Sequence, residues 1–328
     1  MWQATPHVVP FLIELLLNDV PQRERVLTYL GRLAAETSNG GEGAVPPGSD
    51  ADEAERELWE RHGRAGRDTR AAVLRGLDVY RRDVVHEAAS VRLAACFLLG
   101  QLQSAAATVA PWIEPKLEDT ETRVAASATF ALGALSSALP SLRGELEARI
   151  RDPRPLVRLA AASALARIGP TAQASVIATI GEFLRDSAPV ATDYSGLPWS
   201  WLNVDTDLAR LAGTLDVAAG ATLIQPLLDL LDRRKDPIAS GTIVTAILRF
   251  LFGPVDWEGF RAQRVRRRPA EGLTPEQRRV LEALLHKDIW EMRFGGRASR
   301  NGNLGAALNP QQLPTSRDEL AAFLGVAF

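Results

Sequence analysis

Between residues 88 and 185 the chain repeats itself every 33 positions. Val91, Ala95, Leu98 and Leu102 are spaced four, three and four apart, and the same spacing returns as Val124, Ala128, Ala131 and Leu135. It returns again as Val157, Ala161, Ala164 and Ile168. Each set lines one face of an α-helix. The neighbouring columns agree: Leu99, Leu132 and Leu165; Gly100, Gly133 and Ala166; Ala94, Ser127 and Ala160. Small residues recurring on a buried face let helices approach closely. Three units in one register define a repeat and limit the chain to stacked helical units.

A second amphipathic helix follows each of these, with Ile113 and Leu146, then Leu117, Ile150 and Phe183, again in register. Asp119-Thr120, Asp152-Pro153 and Gly169-Pro170 separate the helices as caps and breakers. A helix pair of this size cannot bury its apolar face alone, so neighbouring pairs must stack to complete a core. The composition suits this. Hydrophobic residues are 46%, charged residues 24% and aromatics only 6%, which favours close helix packing over an aromatic-rich β-sandwich.

The runs Val91-Arg92-Leu93-Ala94-Ala95 and Val157-Arg158-Leu159-Ala160-Ala161-Ala162, closing at Gly100-Gln101-Leu102 and Arg167-Ile168-Gly169, resemble short bacterial HEAT repeats. Val9-Pro10-Phe11-Leu12-Ile13-Glu14-Leu15-Leu16 and Leu223-Ile224-Gln225-Pro226-Leu227-Leu228 are similar to the second helix of that family. The resemblance is strong over 88–185, weaker over 5–35 and 204–252, and fades after 253. It implies an all-α fold, a right-handed armadillo-type α-solenoid of antiparallel helix pairs with a concave binding face. It implies no activity.

Residues 1–35 read as an N-terminal cap unit of two helices, and 36–51 as a Gly-, Ser- and Pro-rich loop. Helices are expected from Asp52 through Trp59 and again from Asp68 to about Arg82, so that 52–185 form the repeats. An irregular aromatic insertion occupies 186–203, further repeats fill 204–252, and 253–328 form an irregular C-terminal cap. In the cap, Thr274-Pro275-Glu276 opens one helix, 295–314 is a Gly- and Asn-rich loop, and Ser316 caps a last helix.

Few residues suggest chemistry. The histidines His7, His62, His86 and His286 are scattered, with no pair at metal-ligand spacing, and no cofactor is expected. HEAT-type hydroxylases use several His-Glu pairs, whereas this chain has one, His86-Glu87. No phosphate-binding glycine loop or nucleophile elbow is present. The single cysteine, Cys96, sits in an apolar helix and reads as a buried structural thiol. The start, Met1-Trp2-Gln3-Ala4, lacks a basic signal-peptide region, and Glu14 and Arg249 interrupt the most apolar runs. A cytoplasmic, membrane-free protein is the expectation.

Two segments stand out as candidate partner-binding surfaces. The insertion combines Asp193, Tyr194, Trp199, Trp201 and Asp205, aromatic anchors and carboxylates in one irregular stretch. The bland alternative is that its tryptophans plug the core where the repeat register shifts. The second is a run of five arginines, Arg261, Arg264, Arg266, Arg267 and Arg268, able to grip phosphates or an acidic partner. Its bland alternative is a solvated loop. The leading functional expectation is a non-catalytic protein-binding scaffold, with an inhibitor or immunity-type role by family analogy. The alternative is a nucleic-acid-binding protein, at the extreme a HEAT-like DNA glycosylase. The net charge of −2 and the local confinement of the arginines weigh against it.

Overall fold

A computed structural model describes residues 4–41, 52–169, 174–234, 236–255, 268–294 and 297–327. The protein is all-α apart from one small hairpin among these residues. The helices are α1 (Thr5–Leu17), α2 (Arg23–Gly41), α3 (Glu53–Leu74), α4 (Leu77–Asp83), α5 (Ala89–Gly100), α6 (Ala106–Ile113), α7 (Thr122–Leu135), α8 (Arg143–Arg149) and α9 (Pro155–Ile168). They continue as α10 (Ala174–Arg185), α11 (Ala188–Tyr194), α12 (Val204–Ala212), α13 (Val217–Gly220), α14 (Ile224–Arg233) and α15 (Pro237–Phe252). After α16 (Pro275–Leu285) come β1 (Glu291–Phe294), β2 (Arg297–Arg300), α17 (Gly302–Leu308) and α18 (Arg317–Leu324). The chain divides into two compact units, Met1–Ile168 with Gly196–Trp199, and Gly169–Ser195 with Ser200–Phe328.

In the first unit the 33-residue period becomes a physical series. α2 packs on α5, α5 on α7 and α7 on α9. Val91, Ala95, Leu98 and Leu102 are buried, as are Val124, Ala128, Ala131 and Leu135. The small-residue column is where the backbones meet. A Cβ on Gly100 would lie 2.6 Å from Ala131 Cα, and one on Gly133 would overlap the Ala164 side chain. Ser127 exploits the same proximity and donates its hydroxyl to Leu93 O at 2.8 Å. The second-helix positions Ile113, Leu117, Leu146 and Ile150 are buried as well. So is the Cys96 thiol, which burial pushes up to about 12 and makes chemically inert at neutral pH.

The acids between helices lie just outside the expected cap positions: Glu121 precedes α7 and makes no side-chain cap bond, and α9 begins at Pro155, beyond Asp152-Pro153. Asp119 accepts from Arg92 Nε (2.8 Å) and Nη2 (2.9 Å) while its Oδ1 also accepts from Glu121 N–H at 3.1 Å. Asp152, 33 positions later, accepts from Arg154 Nε and Nη2, both at 2.9 Å, and from the Arg154 backbone N–H. Arg154 reaches back to the carbonyls of Asp119 and Leu117 at 3.0 Å, which ties one unit to the next. Arg23 does the same at the start of α2, donating to Asp83 Oδ1 (2.7 Å) and Leu16 O (2.6 Å).

In the second unit α10 contacts α12 and α14, α12 and α14 contact α15, and α15 contacts α17. Asp236 caps α15 by accepting from Ala239 N–H, and Thr274 and Gln277 form a reciprocal capping box on α16. Asn301 is fully enclosed and uses both ends of its amide. Its Oδ1 caps α17 through Asn303 and Leu304 N–H, and its Nδ2 donates to Ser240 Oγ and Ile289 O.

Several local expectations change. Asp68-Thr69 does not start a helix; α3 runs unbroken from Glu53 to Leu74, and the buried Thr69 hydroxyl donates to Ala65 O at 2.7 Å within the helix. The expected loop at 295–314 contains ordered elements: β2, which pairs antiparallel with the preceding β1 from Glu291↔Arg300 to Phe294↔Arg297, and α17. In the insertion, Pro189 stands in the first turn of a short helix, α11. Ser316 precedes α18, but its side chain accepts no cap hydrogen bond. No single helix among the described residues is long and apolar enough to cross a membrane; only α5 with the segment Gln103–Glu118 passes as a pair, bent by 90°.

Candidate functional site

The insertion's side chains divide between the two units. Trp199 stacks on Phe130 of α7, centroids 4.9 Å apart and planes 9° off parallel, and the Arg167 guanidinium lies 4.9 Å from the Phe130 ring. Trp199 is half-buried there, with Leu197 and Pro198 buried beside it. The others belong to the second unit. The Tyr194 hydroxyl donates to Asp207 Oδ2 at 2.9 Å, an oxygen that also accepts from Trp201 N–H at 2.9 Å. Asp205 is buried and paired with Arg234. Asp193 is solvent-exposed. Trp201 is 55% exposed, with the Arg210 guanidinium 5.3 Å from its ring centroid.

These contacts sort the tryptophans. Trp199→Ala is expected to cost about 1.5 kcal/mol, since it removes a stacked aromatic pair and half-buried area. Trp201→Ala should stay within about 0.5 kcal/mol of the parent, as surface changes do. Urea unfolding of both variants checks the contrast, and equal losses would refute this division of roles.

Of the arginine run, Arg261, Arg264, Arg266 and Arg267 lie outside the described residues. Arg268 is half-buried. Its backbone N–H donates to Gln312 O at 3.1 Å, and its guanidinium sits 4.7 Å from the Phe252 ring centroid. Among the described residues no group of three or more His, Cys, Asp or Glu side chains is placed to hold a metal ion.

A cleft of about 450 Å³ opens in the first unit. One wall is α2, which contributes Glu24, Arg25, Thr28, Tyr29 and Arg32; α5 contributes Ser90, Leu93 and Ala94; Arg123 comes from the start of α7, and Gly196 and Pro198 complete the rim. Arg25, Thr28, Tyr29 and Arg32 follow i, i+3, i+4, i+7 spacing and so share a helix face. Gly196 adopts φ +74°, and a Cβ there would sit 3.7 Å from Arg123 Nη2. The chain therefore turns against this guanidinium with no side chain in the way. Three guanidinium groups face one carboxylate in this space. Among the described residues neither Arg25 nor Arg32 has an ion-pair partner. The α2 pattern is visible in the sequence but identical to that of an ordinary solvated face, while Arg123 and Gly196 join it only through folding.

Another surface lies on α1. Val9 and Leu16 are buried, whereas Val8 (45%), Phe11 (68%) and Leu15 (45%) stay exposed as a row at spacing three and four. No family model matches the chain, and no curated protein matches it.

Proposed function

We propose that the protein is a non-catalytic binding scaffold, a HEAT-like α-solenoid that acts in the cytoplasm and docks a protein partner, with an inhibitor or immunity-type role. The 33-residue recurrence and the serial packing of α5, α7 and α9 support the repeat reading. The observation that carries protein binding is the exposed row Val8, Phe11 and Leu15 on α1. A phenylalanine 68% exposed between two aliphatic neighbours is the kind of anchor that protein interfaces enclose. Its helical spacing suits the apolar stripe of a partner helix.

The nucleic-acid reading has no comparable support. Trp199 is stacked on Phe130 and Asp205 is paired with Arg234, which leaves Trp201 as the one exposed aromatic of the insertion's base-reading candidates.

Phe11→Asp is expected to leave the unfolding midpoint within error and to weaken capture of a purified, reconstituted protein partner at least tenfold. Recovery that vanishes with nuclease treatment would overturn the reading. So would self-association of the wild type abolished by Phe11→Asp, measured by light scattering, because a second copy would then cover the row.

A further inference from the structure

We infer that the α2–α5–α7 cleft is an oxyanion site that takes an acidic, extended segment of the partner. Its carboxylates would pair with Arg25, Arg32 and Arg123, with an apolar side chain between them lying on Tyr29 and Leu93. The inference rests on the protein-binding reading above and supplies the chemistry of the partner.

Spacing, charge and size carry it. Arg25 and Arg32 are seven residues apart on one helix, which separates their backbone positions by about 10 Å along the axis. On a polyproline II chain, extended at about 3.1 Å per residue with three residues per turn, acidic residues three apart share one side at a spacing of about 9 Å. Such a segment laid along α2 presents one carboxylate to each arginine, and Arg123 faces it from α7. Guanidinium pairs bidentately with carboxylate, and in a partly enclosed cleft such charge-assisted bonds outweigh those on open surface. Between the two arginines the wall is not charged. Tyr29 is 51% exposed and available to an apolar side chain, and Leu93 and Ala94 provide an apolar base. The Thr28 and Ser90 hydroxyls add donors for the segment's backbone carbonyls. A volume of about 450 Å³ holds a few side chains. Nucleic acid needs a longer track of phosphate contacts than this cleft offers, and the net charge of −2 provides no field to draw it in.

The test is fluorescence anisotropy with a labelled, end-blocked peptide Gly-Glu-Leu-Ala-Glu-Gly and the full-length protein. The expected result is at least tenfold tighter binding than for the Lys-for-Glu peptide, weakening with salt. Arg25→Gln/Arg123→Gln should reduce affinity at least tenfold while the unfolding midpoint holds, and Arg32→Gln alone should give an intermediate loss. Equal binding of both peptides, or binding indifferent to these substitutions, overturns the inference. So does displacement by inorganic phosphate or an oligothymidylate at lower concentration than unlabelled acidic peptide, because the cleft then serves another oxyanion. If a reconstituted partner lost by Phe11→Asp still binds the arginine variants at full strength, the cleft inference fails and the scaffold reading stands. If no protein partner exists, the scaffold reading fails first.

Discussion

Asp119→Ala is expected to cost the first unit about 3 kcal/mol, the largest effect we foresee for a single substitution. The carboxylate is 6% exposed and its partner Arg92 13% exposed. Removing it strands a guanidinium in a poorly solvated place and deletes the acceptor for Glu121 N–H. Breaking one side of a buried pair typically costs about 3–5 kcal/mol; the lower end applies because Arg92 keeps hydrogen bonds to His86 O and Glu87 O. With a urea slope of about 3 kcal/mol per M, the midpoint should fall by about 1 M. A loss under about 0.5 kcal/mol would show that the pair contributes nothing net.

The same carboxylates fix the acid response. Burial is the largest single influence on Asp119 and Asp152 and would raise both, but the guanidinium hydrogen bonds from Arg92 and Arg154, the backbone N–H bonds and the nearby positive charge together hold each below the ordinary carboxylate value. The unfolded chain then binds more protons than the folded one as pH drops below about 4. Their stabilisation is complete above that value and is lost as pH falls through the folded values. An Asp119→Asn variant should show a shallower decline of stability below pH 4 than the parent.

The second large effect is a reversal of sign between two glycines. Alanine is the better helix former by about 1 kcal/mol, so propensity predicts that Gly→Ala stabilises any helix interior. Gly144 of α8 has open space around a built Cβ, and Gly144→Ala should gain up to about 1 kcal/mol. At Gly133 the new methyl would collide with the Ala164 side chain and lie 3.0 Å from Ala164 Cα, so α7 and α9 must separate. Overpacking of that kind costs about 1–3 kcal/mol, and we expect Gly133→Ala to lose about 2 kcal/mol. Adding Ala164→Gly should recover most of it, which a double-mutant cycle measures. Stabilisation by Gly133→Ala would mean that the helices are not in close contact there.

The repeat was readable because its signal is short-range and periodic. The apolar faces of the repeat helices, the small-residue column at Gly100 and Gly133, and the capping signal at Thr274 depend on neighbours within a turn or two, and the structure buries or bonds them as that pattern requires. Local rules misled where two outcomes have equal local merit. Thr69 carries a hydroxyl suited to a cap or to bonding back within a helix, and only the burial of that face selects the second. Asp119 and Asp152 looked like helix breakers, and their larger role depends on arginines that the fold brings alongside.

Pairing over long separations was decided by tertiary structure alone. Trp199 and Trp201 are equivalent by residue type and two positions apart, yet one stacks on Phe130 and the other stands 55% exposed. The arginine run was conspicuous because its charges are adjacent in sequence, whereas Arg25 and Arg32 of α2 look like an ordinary solvated face and meet Arg123 of α7 in one cleft only through folding. Periodicity reports which face of a helix avoids water. It carries no information about which distant side chain arrives opposite that face, because helix stacking sets that and many sequences with the same period would stack differently in detail.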